Sequence, residues 1–299
     1  MSDPVSIDTR REPPLDGKSS HPVALARHVI GALAEFVARH PRLFVLTGAG
    51  ISTESGIPGY RNADGQWQRS QPIFLQEFLA SEAARRRYWA RSMAGWRIVA
   101  GAKPNAAHGA LARLESEGHL ELLLTQNVDG LHQRAGSRAV IELHGNLAQV
   151  VCIGCRVRHS RHAIQRELEA LNSRLGDLLT LPAPDGDAMV EQGDLASFVV
   201  PECSRCGGTL KPDVVFFGEG VPRERVDAAS AALAKANAML IVGSSLAVYS
   251  GYRFCEWAFA AGKPIAAINL GRTRADHLLA LKIEGSCAEA LGSLMDALA

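Results

Sequence analysis

The most constraining feature of this chain is a repeated pattern: a helical segment, a short apolar run, then small polar residues. Leu43–Leu46 is the first such run, and Thr47-Gly-Ala-Gly50 follows it at once. A strand with no polar face belongs inside a parallel sheet that is covered on both sides. Ahead of it, Leu25, Val29, Leu33, Phe36 and Val37 share one face of a helix over about residues 23–40, and Pro41 stops that helix. Helix, buried strand and Gly-rich turn together open a nucleotide-binding α/β unit. The rhythm recurs as helix 106–118 with strand 120–124, the short strand 140–143, helix 227–236 with strand 239–242, helix 252–261 with strand 265–269, and a last helix over 287–298. The fold class expected is α/β, a doubly wound, Rossmann-like parallel sheet. Such sheets bind ligands beyond the carboxyl ends of their strands. The polar clusters Gly48–Ser52, Gln126–Asp129, Gly243–Ser245 and Asn269–Gly271 all fall there.

Two stretches break the rhythm. Residues 60–96 are helical and rich in Arg and aromatics, and residues 152–206 carry four of the six cysteines, a helix near 164–175 and a loop with Pro182, Pro184 and Gly186. Both read as insertions that build a smaller lobe, over about 60–96 and 147–211. The large lobe then takes about 21–59, 97–146 and 212–299. Residues 1–20, broken by Pro4, Pro13 and Pro14, read as a disordered leader. They lack the apolar segment of a secretory signal, and Asp3, Asp8, Glu12 and Asp16 are unlike an acid-poor transit peptide.

Composition narrows the function. Lys and Arg number 32 against 31 Asp and Glu, and 47% of residues are hydrophobic. That is too apolar for a disordered chain and too balanced for one built mainly to hold nucleic acid. No run reaches the roughly 18 apolar residues of a transmembrane helix.

The strongest chemical signal is Cys152-x-x-Cys155 with Cys203-x-x-Cys206. Two such knuckles can present four thiolates to one tetrahedral zinc ion. Four ligands leave no open position, so the metal would be structural. Disulfides are the competing reading, and a chain without a secretory signal disfavours them. Cys255 and Cys287 stand alone in apolar helical contexts and read as small buried hydrophobes.

Gly48-Ala-Gly50-Ile-Ser52 is weaker, because it is not a full G-x-G-x-x-G. Alone it also fits a tight turn after a strand. Its N–H groups could cradle a pyrophosphate, with Arg61 adding charge and Pro58 stiffening the loop. Gln126-Asn-Val-Asp129 suits a ribose and a carboxamide, and equally a helix cap. His144 is a lone histidine, more often structural than catalytic. At a sheet edge, with an unperturbed pKa of about 6.5, it would suit a general base.

Taken together, the motifs resemble one family. Gly48-Ala-Gly-Ile-Ser-Thr-Glu-Ser-Gly-Ile-Pro58, Thr125-Gln-Asn-Val-Asp129, Leu143-His-Gly145, the two cysteine pairs, Lys211-Pro-Asp-Val-Val-Phe-Phe-Gly-Glu219, Gly243-Ser-Ser245 and Asn269-Leu-Gly271 occur in the order of the sirtuins. The resemblance covers roughly residues 22–298. Arg87-Tyr-Trp-Ala-Arg91 and the stretch Gly243–Arg253 look most like the class II, sirtuin-4-like branch with its bacterial relatives.

This resemblance implies an NAD-dependent protein lysine deacylase, with a catalytic domain over 21–299 and one structural zinc ion. The acyl oxygen attacks the ribose carbon that carried nicotinamide, and His144 then activates a ribose hydroxyl. The products are free lysine, nicotinamide and O-acyl-ADP-ribose. Gly48, Ala49 and Gly50 are implied on the cofactor phosphates, and Tyr60 and Arg61 in a cofactor-binding loop. Gln126 and Asn127 are implied at the nicotinamide ribose, Asn127 also as a catalytic residue, and Asp129 at the carboxamide. Ser244, Asn269 and Cys287 surround the adenosine. Ser52, Ile57, Pro58, Gly243, Ser245, Leu270 and Gly271 complete the cofactor site. The substrate peptide adds as a strand between Val215-Phe216-Phe217-Gly218-Glu219 and a segment containing Leu246 and Val248.

Two points depart from or extend the family pattern. Gly59 stands where most sirtuins carry Asp, which loosens the cofactor loop. Tyr88-x-x-Arg91 matches the pair that binds acidic acyl groups in the desuccinylase branch. Arg91 pairing with an acyl carboxylate competes with Arg91 on a solvated helix face beside Arg85, Arg86 and Arg87. Mono-ADP-ribosyl transfer to protein is the competing activity. The partners expected are acyl-lysine proteins or peptides, with no specific nucleic acid and no membrane. The chain is expected to be a monomer in a bacterial cytoplasm, or in the mitochondrial matrix if its source is eukaryotic.

Overall fold

The computed structural model describes residues 27–59, 73–173, 180–182, 188–190 and 195–298. The leader, Tyr60 and Arg61 lie outside the described residues. Helix α1 (Arg27–Arg39) buries Ile30, Leu33, Phe36 and Val37. Strand β1 (Leu43–Thr47) is buried at every position and runs into a 3-10 turn, Ala49–Ser55. Then come α2 (Leu75–Ala80), α3 (Glu82–Gly101) and α4 (Ala106–Ser116). Asn105 caps α4 by accepting the N–H groups of Ala107 and His108. Strand β2 (Leu120–Thr125), the single turn α5 (Leu131–Arg134) and β3 (Val140–Glu142) follow.

A second group of elements comes next: β4 (Gly145–Cys152), β5 (Arg158–Ser160), α6 (Arg161–Leu171), β6 (Thr180–Pro182), β7 (Ala188–Val190) and β8 (Leu210–Val214). The chain ends with α7 (Arg223–Lys235), β9 (Ala238–Val242), α8 (Tyr249–Ala260), β10 (Ile265–Ile268), β11 (Leu281–Ile283) and α9 (Cys287–Leu298).

Six strands form one parallel sheet in the order β11-β10-β9-β1-β2-β3. From β1 the chain steps outward to β3, then returns to the other side of β1 to lay down β9. The β1–β9 junction is therefore the topological switch point, where a doubly wound sheet opens a crevice for ligand. Thr47 is in register with both Thr125 and Val242, so the loops after β1, β2 and β9 emerge side by side. One apolar layer packs α1, α4 and α9 on the sheet, and the other packs α7 and α8.

A smaller antiparallel sheet, β5-β4-β8, packs with α2, α3 and α6 around Trp89, Phe78 and Phe216. There Arg161 is buried with its guanidinium over Trp89 and Trp96, at 5.5 and 5.0 Å from the ring centres. Its N–H groups bond Ser92 and Gln165, joining α6 to α3.

Every strand of the sequence reading is present within two residues. The helices differ more at their starts. α7 begins at Arg223, behind Pro222, and α8 begins at Tyr249. Their first turns, Arg-Glu-Arg and Tyr-Ser-Gly, carry no apolar period to read. α6 runs from Arg161 and stops at Leu171, because Asn172 turns its amide onto the Leu168 carbonyl at 2.8 Å.

Candidate active site

The loops at the carboxyl ends of β1, β2, β9 and β10 surround a cavity of about 550 Å³. Gly48–Gly50, Gln126, Asn127, Gly243–Ser245, Asn269, Leu270 and Cys287 line one side, and Val215–Glu219 and Leu246–Tyr249 line the other. His144 stands between them.

The Gly48 loop lies against the β9 loop with no room for side chains. A Cβ on Gly48 would stand 2.7 Å from the Ser244 Cβ, and one on Gly50 2.8 Å from the Gly243 carbonyl. The Gly50 N–H donates to that carbonyl at 2.8 Å. This is a cradle of bare backbone, the form that a pyrophosphate requires.

The Gln126–Asp129 cluster does two jobs. Asn127 donates to the Gly48 carbonyl and the Ser52 hydroxyl, both at 3.1 Å, so it holds the glycine loop. Gln126 accepts the Ser244 hydroxyl at 2.6 Å. Asp129 accepts the Leu131 N–H at 2.9 Å, just ahead of α5, whose N-cap is Gly130, and the Ser52 hydroxyl at 2.8 Å. Asp129 does not line the main cavity. It lines a side pocket of about 20 Å³ with Ala49, Ser52, Ile57, Pro58 and Asn127.

His144 is fixed at both ring nitrogens. Its Nδ1 lies 3.0 Å from the Gln126 carbonyl and its Nε2 2.8 Å from the Ser250 hydroxyl. A carbonyl only accepts, so Nδ1 carries the proton and the Nε2 lone pair accepts the hydroxyl of Ser250, itself a residue of the cavity wall. Burial pushes the imidazole down to about 4, with the Arg225 and Arg253 charges adding and the Gln126 bond opposing. The ring is therefore a neutral base at pH 7.

The four cysteines meet on the small sheet. Their Sγ atoms all lie within 4.8 Å of one another, with Cys152 to Cys206 at 3.5 Å and Cys155 to Cys203 at 3.7 Å. A tetrahedral zinc at about 2.3 Å from each sulfur needs S···S separations of about 3.8 Å, so the set fits the ion. All four are free thiols, against the disulfide reading. The Cys155 N–H leads the causes that pull the Cys152 thiol down to about 6. His159 Nε2 sits 3.5 Å from Cys203 Sγ, an outer partner that the cysteine spacing alone did not reveal.

Comparison with known proteins matches these features. The Sir2 family model matches residues 48–250. The chain belongs to the Sir2 family. It is 60% identical to an NAD-dependent protein deacetylase of Xanthomonas campestris pv. campestris (strain 8004), across 88% of this chain and 90% of that one. It is 58% identical to one of Bordetella bronchiseptica, across 88% and 96%. A Sir2 structure solved with a p53 peptide and NAD+ superposes with a TM-score of 0.71 at 31% identity, covering 90% of this chain and 98% of the other. A Sir2 variant solved with deacetylated p53 peptide and 3'-O-acetyl ADP-ribose gives 0.73 at 30%, covering 90% and 98%.

Within that family frame, the structure also places residues that the sequence reading did not name. Thr53, Glu54, Val221, Ser250 and Arg272 line the cavity as well. Thr53, Glu54 and Ser250 lie inside the motifs already quoted, without a role assigned there, and Val221 and Arg272 lie within two residues of one. Gly271 does not line the cavity. It accepts at 3.4 Å from the Asn269 amide, which also bonds the Leu270 carbonyl. Neither Tyr88 nor Arg91 lines it; the Tyr88 ring packs behind Phe216, with centres 5.1 Å apart. No helix among the described residues is long and apolar enough to cross a membrane.

Proposed function

We propose that this protein is an NAD-dependent protein lysine deacylase. The observation that carries the reading is His144, neutral at pH 7, with its Nε2 on the Ser250 hydroxyl in the wall of a cavity that the glycine cradle and Val215–Glu219 also line. The cradle of Gly48, Ala49 and Gly50 would take the phosphates, Gln126 and Asn127 the nicotinamide ribose, and Asp129 the carboxamide through the side pocket. Ser244, Asn269 and Cys287 would surround the adenosine.

Bound NAD would supply the electrophile, a ribose carbon open to an amide oxygen once nicotinamide leaves. His144 would take the proton of a ribose hydroxyl at Nε2 while the Gln126 carbonyl holds Nδ1–H. The freed hydroxyl oxygen could then attack the acyl carbon; release of the lysine as the free amine would consume one water and leave the acyl group on ADP-ribose. Val215–Glu219 and Leu246–Val248 would pair with the substrate backbone on either side of the acyl-lysine. The zinc ion, on Cys152, Cys155, Cys203 and Cys206, would brace the smaller lobe and take no part in the chemistry.

Four finer readings belong to the same proposal. The residues divide into lobes at about 60–96 and 147–211. The chain sides with the class II, sirtuin-4-like branch on its Arg87–Arg91 and Gly243–Arg253 motifs. Tyr88 shapes the acyl end through Phe216, with Arg91 on the same helix as the candidate partner of an acyl carboxylate. The protein works as a monomer in the bacterial cytoplasm, in keeping with its bacterial relatives.

The test is a panel of acetyl-, glutaryl-, lipoyl- and long-chain acyl-lysine peptides with NAD. Acyl removal with one nicotinamide released per lysine is expected. ADP-ribose attached to protein, with no O-acyl-ADP-ribose, would favour the transferase reading. A preference for acidic acyl groups that Arg91→Ala removes would support the Arg91 pairing.

A further inference from the structure

Lys211 lies on β8 and lines no part of the cavity, yet it is only 7% exposed. Its ammonium makes three contacts, one with the last residue of its own strand and two with the segment that follows it. It donates to the Val214 carbonyl at 2.5 Å, pairs with Glu219 Oε2 at 2.9 Å, and sits 4.7 Å from the centre of the Phe216 ring. Glu219 Oε2 also accepts the Phe216 N–H at 2.8 Å. The segment between Lys211 and Glu219 is thus closed into a loop by one ion pair.

That loop is the cavity wall. Phe216, Phe217 and Gly218 line it. The next N–H after β8, that of Val215, donates to the His144 carbonyl at 2.7 Å, so the loop is anchored beside the base. Beyond Val215 the regular ladder ends, and only the bridge of Phe217 to Phe74 continues the pairing. The Phe216 ring is set by Phe78 and Tyr88 from behind and by the ammonium beneath.

We propose that Lys211 is a positioning residue for the acyl-lysine substrate, its ammonium and Glu219 together holding the Phe216–Gly218 wall in the form that binds. This rests on the deacylase reading of the site. A buried ammonium with a carboxylate, a carbonyl and an aromatic face has its polar needs met, so it is a stable point from which to hang the loop. An apolar residue of the same length would leave Glu219 half-buried without its cation and the Phe216 ring without its support.

The test measures binding of an acetyl-lysine peptide by fluorescence anisotropy, and KM for peptide and for NAD, in the full chain. The variants are Lys211→Met, Lys211→Arg and the double variant Lys211→Met with Glu219→Gln. The double variant leaves no unpaired charge, so it keeps the question open to test if Lys211→Met alone fails to fold. We expect peptide Kd and KM to rise about tenfold in both Met variants, the loss of one charge-assisted contact. KM for NAD should stay within about twofold, and Lys211→Arg should recover most of the peptide affinity, since it restores charge and donors. Unchanged peptide affinity in a folded Met variant overturns the proposal. So does a parallel rise in both KM values, or an Arg variant no better than Met. Wild-type protein that binds no acyl-lysine peptide would remove the deacylase reading itself, and this inference with it.

Discussion

The proposed chemistry depends on one imidazole kept neutral and correctly protonated. The sequence placed His144 after a strand but could not say which nitrogen carries the proton. That follows from the Gln126 carbonyl and the Ser250 hydroxyl, one from the β2 loop and one from α8. His144→Ala should lower acyl removal by about 10²–10⁴, the range for a lost general base, while NAD binding persists. Full activity in that variant would end the role. The pH dependence has a definite sign. The base acts only when unprotonated, and burial holds it down to about 4. The acid limb of kcat/KM should therefore fall near pH 4 rather than near the ordinary 6.5.

Stability follows the same histidines. His132, buried against His108 and Thr47, is held at about 3, burial being the main cause. The unfolded chain takes up these protons first as pH falls below about 6.5. Above that pH neither state binds them, so stability there is unaffected. From about 6.5 down to about 4 for His144 and about 3 for His132 the folded state loses ground, by up to about 1.4 kcal/mol per unit for each fully buried imidazole. Melting temperature should drop over that window. His132→Gln, which keeps a donor for Thr47, should flatten the drop; an unchanged slope would show that other groups set it.

At the scale of elements, the proposed cofactor site rests on the close approach of two loops. Gly50→Ala would drive a Cβ to 2.8 Å from the Gly243 carbonyl and 2.9 Å from its Cα, both backbone atoms that cannot rotate away. NAD affinity should fall at least tenfold by calorimetry, whereas Gly31→Ala, with nothing within 4 Å, should leave it unchanged. The strands that carry these loops were legible because a strand buried on both faces leaves a solid apolar run, as in Leu43–Leu46 and Met239–Val242. The edge where the clusters meet was legible for the same reason, since it lies one or two residues past each run. What could not be read was the pairing of β4 with β8. Their partners are far apart in the chain, and the pairing turns on Gly145, whose φ of +89° and Cβ position 2.1 Å from the Asp213 carbonyl admit no side chain. Nor could Tyr88 be placed. Tyr and Arg three apart share a helix face, but which face meets the cavity is set by Phe78 and Phe216, which come from other elements.

Across the whole molecule, the cysteine cluster and the proposed substrate cleft share one apolar core. Cys152 and Cys203 are buried with Phe78, Trp89 and Phe198 in the cluster that also holds Phe216, and Phe216 lines the cavity. The six-stranded sheet has its own two cores, on either face, to which no zinc ligand contributes. Removing the ion would leave four crowded thiols, with Cys152 to Cys206 at 3.5 Å, and nothing to hold the two knuckles together. The damage should therefore travel to the peptide side of the cleft before it reaches the cofactor side. Chelation should release about one zinc per chain, since four thiolates complete one tetrahedral site. Affinity for acyl peptide should then fall well before affinity for NAD, with the parallel sheet still present by far-ultraviolet circular dichroism. Cys206→Ser, at the most exposed ligand, should reproduce the pattern in weaker form. Equal loss of both affinities would mean that the ion supports the whole fold, and metal-free protein with full peptide affinity would mean that the thiols hold no structural metal.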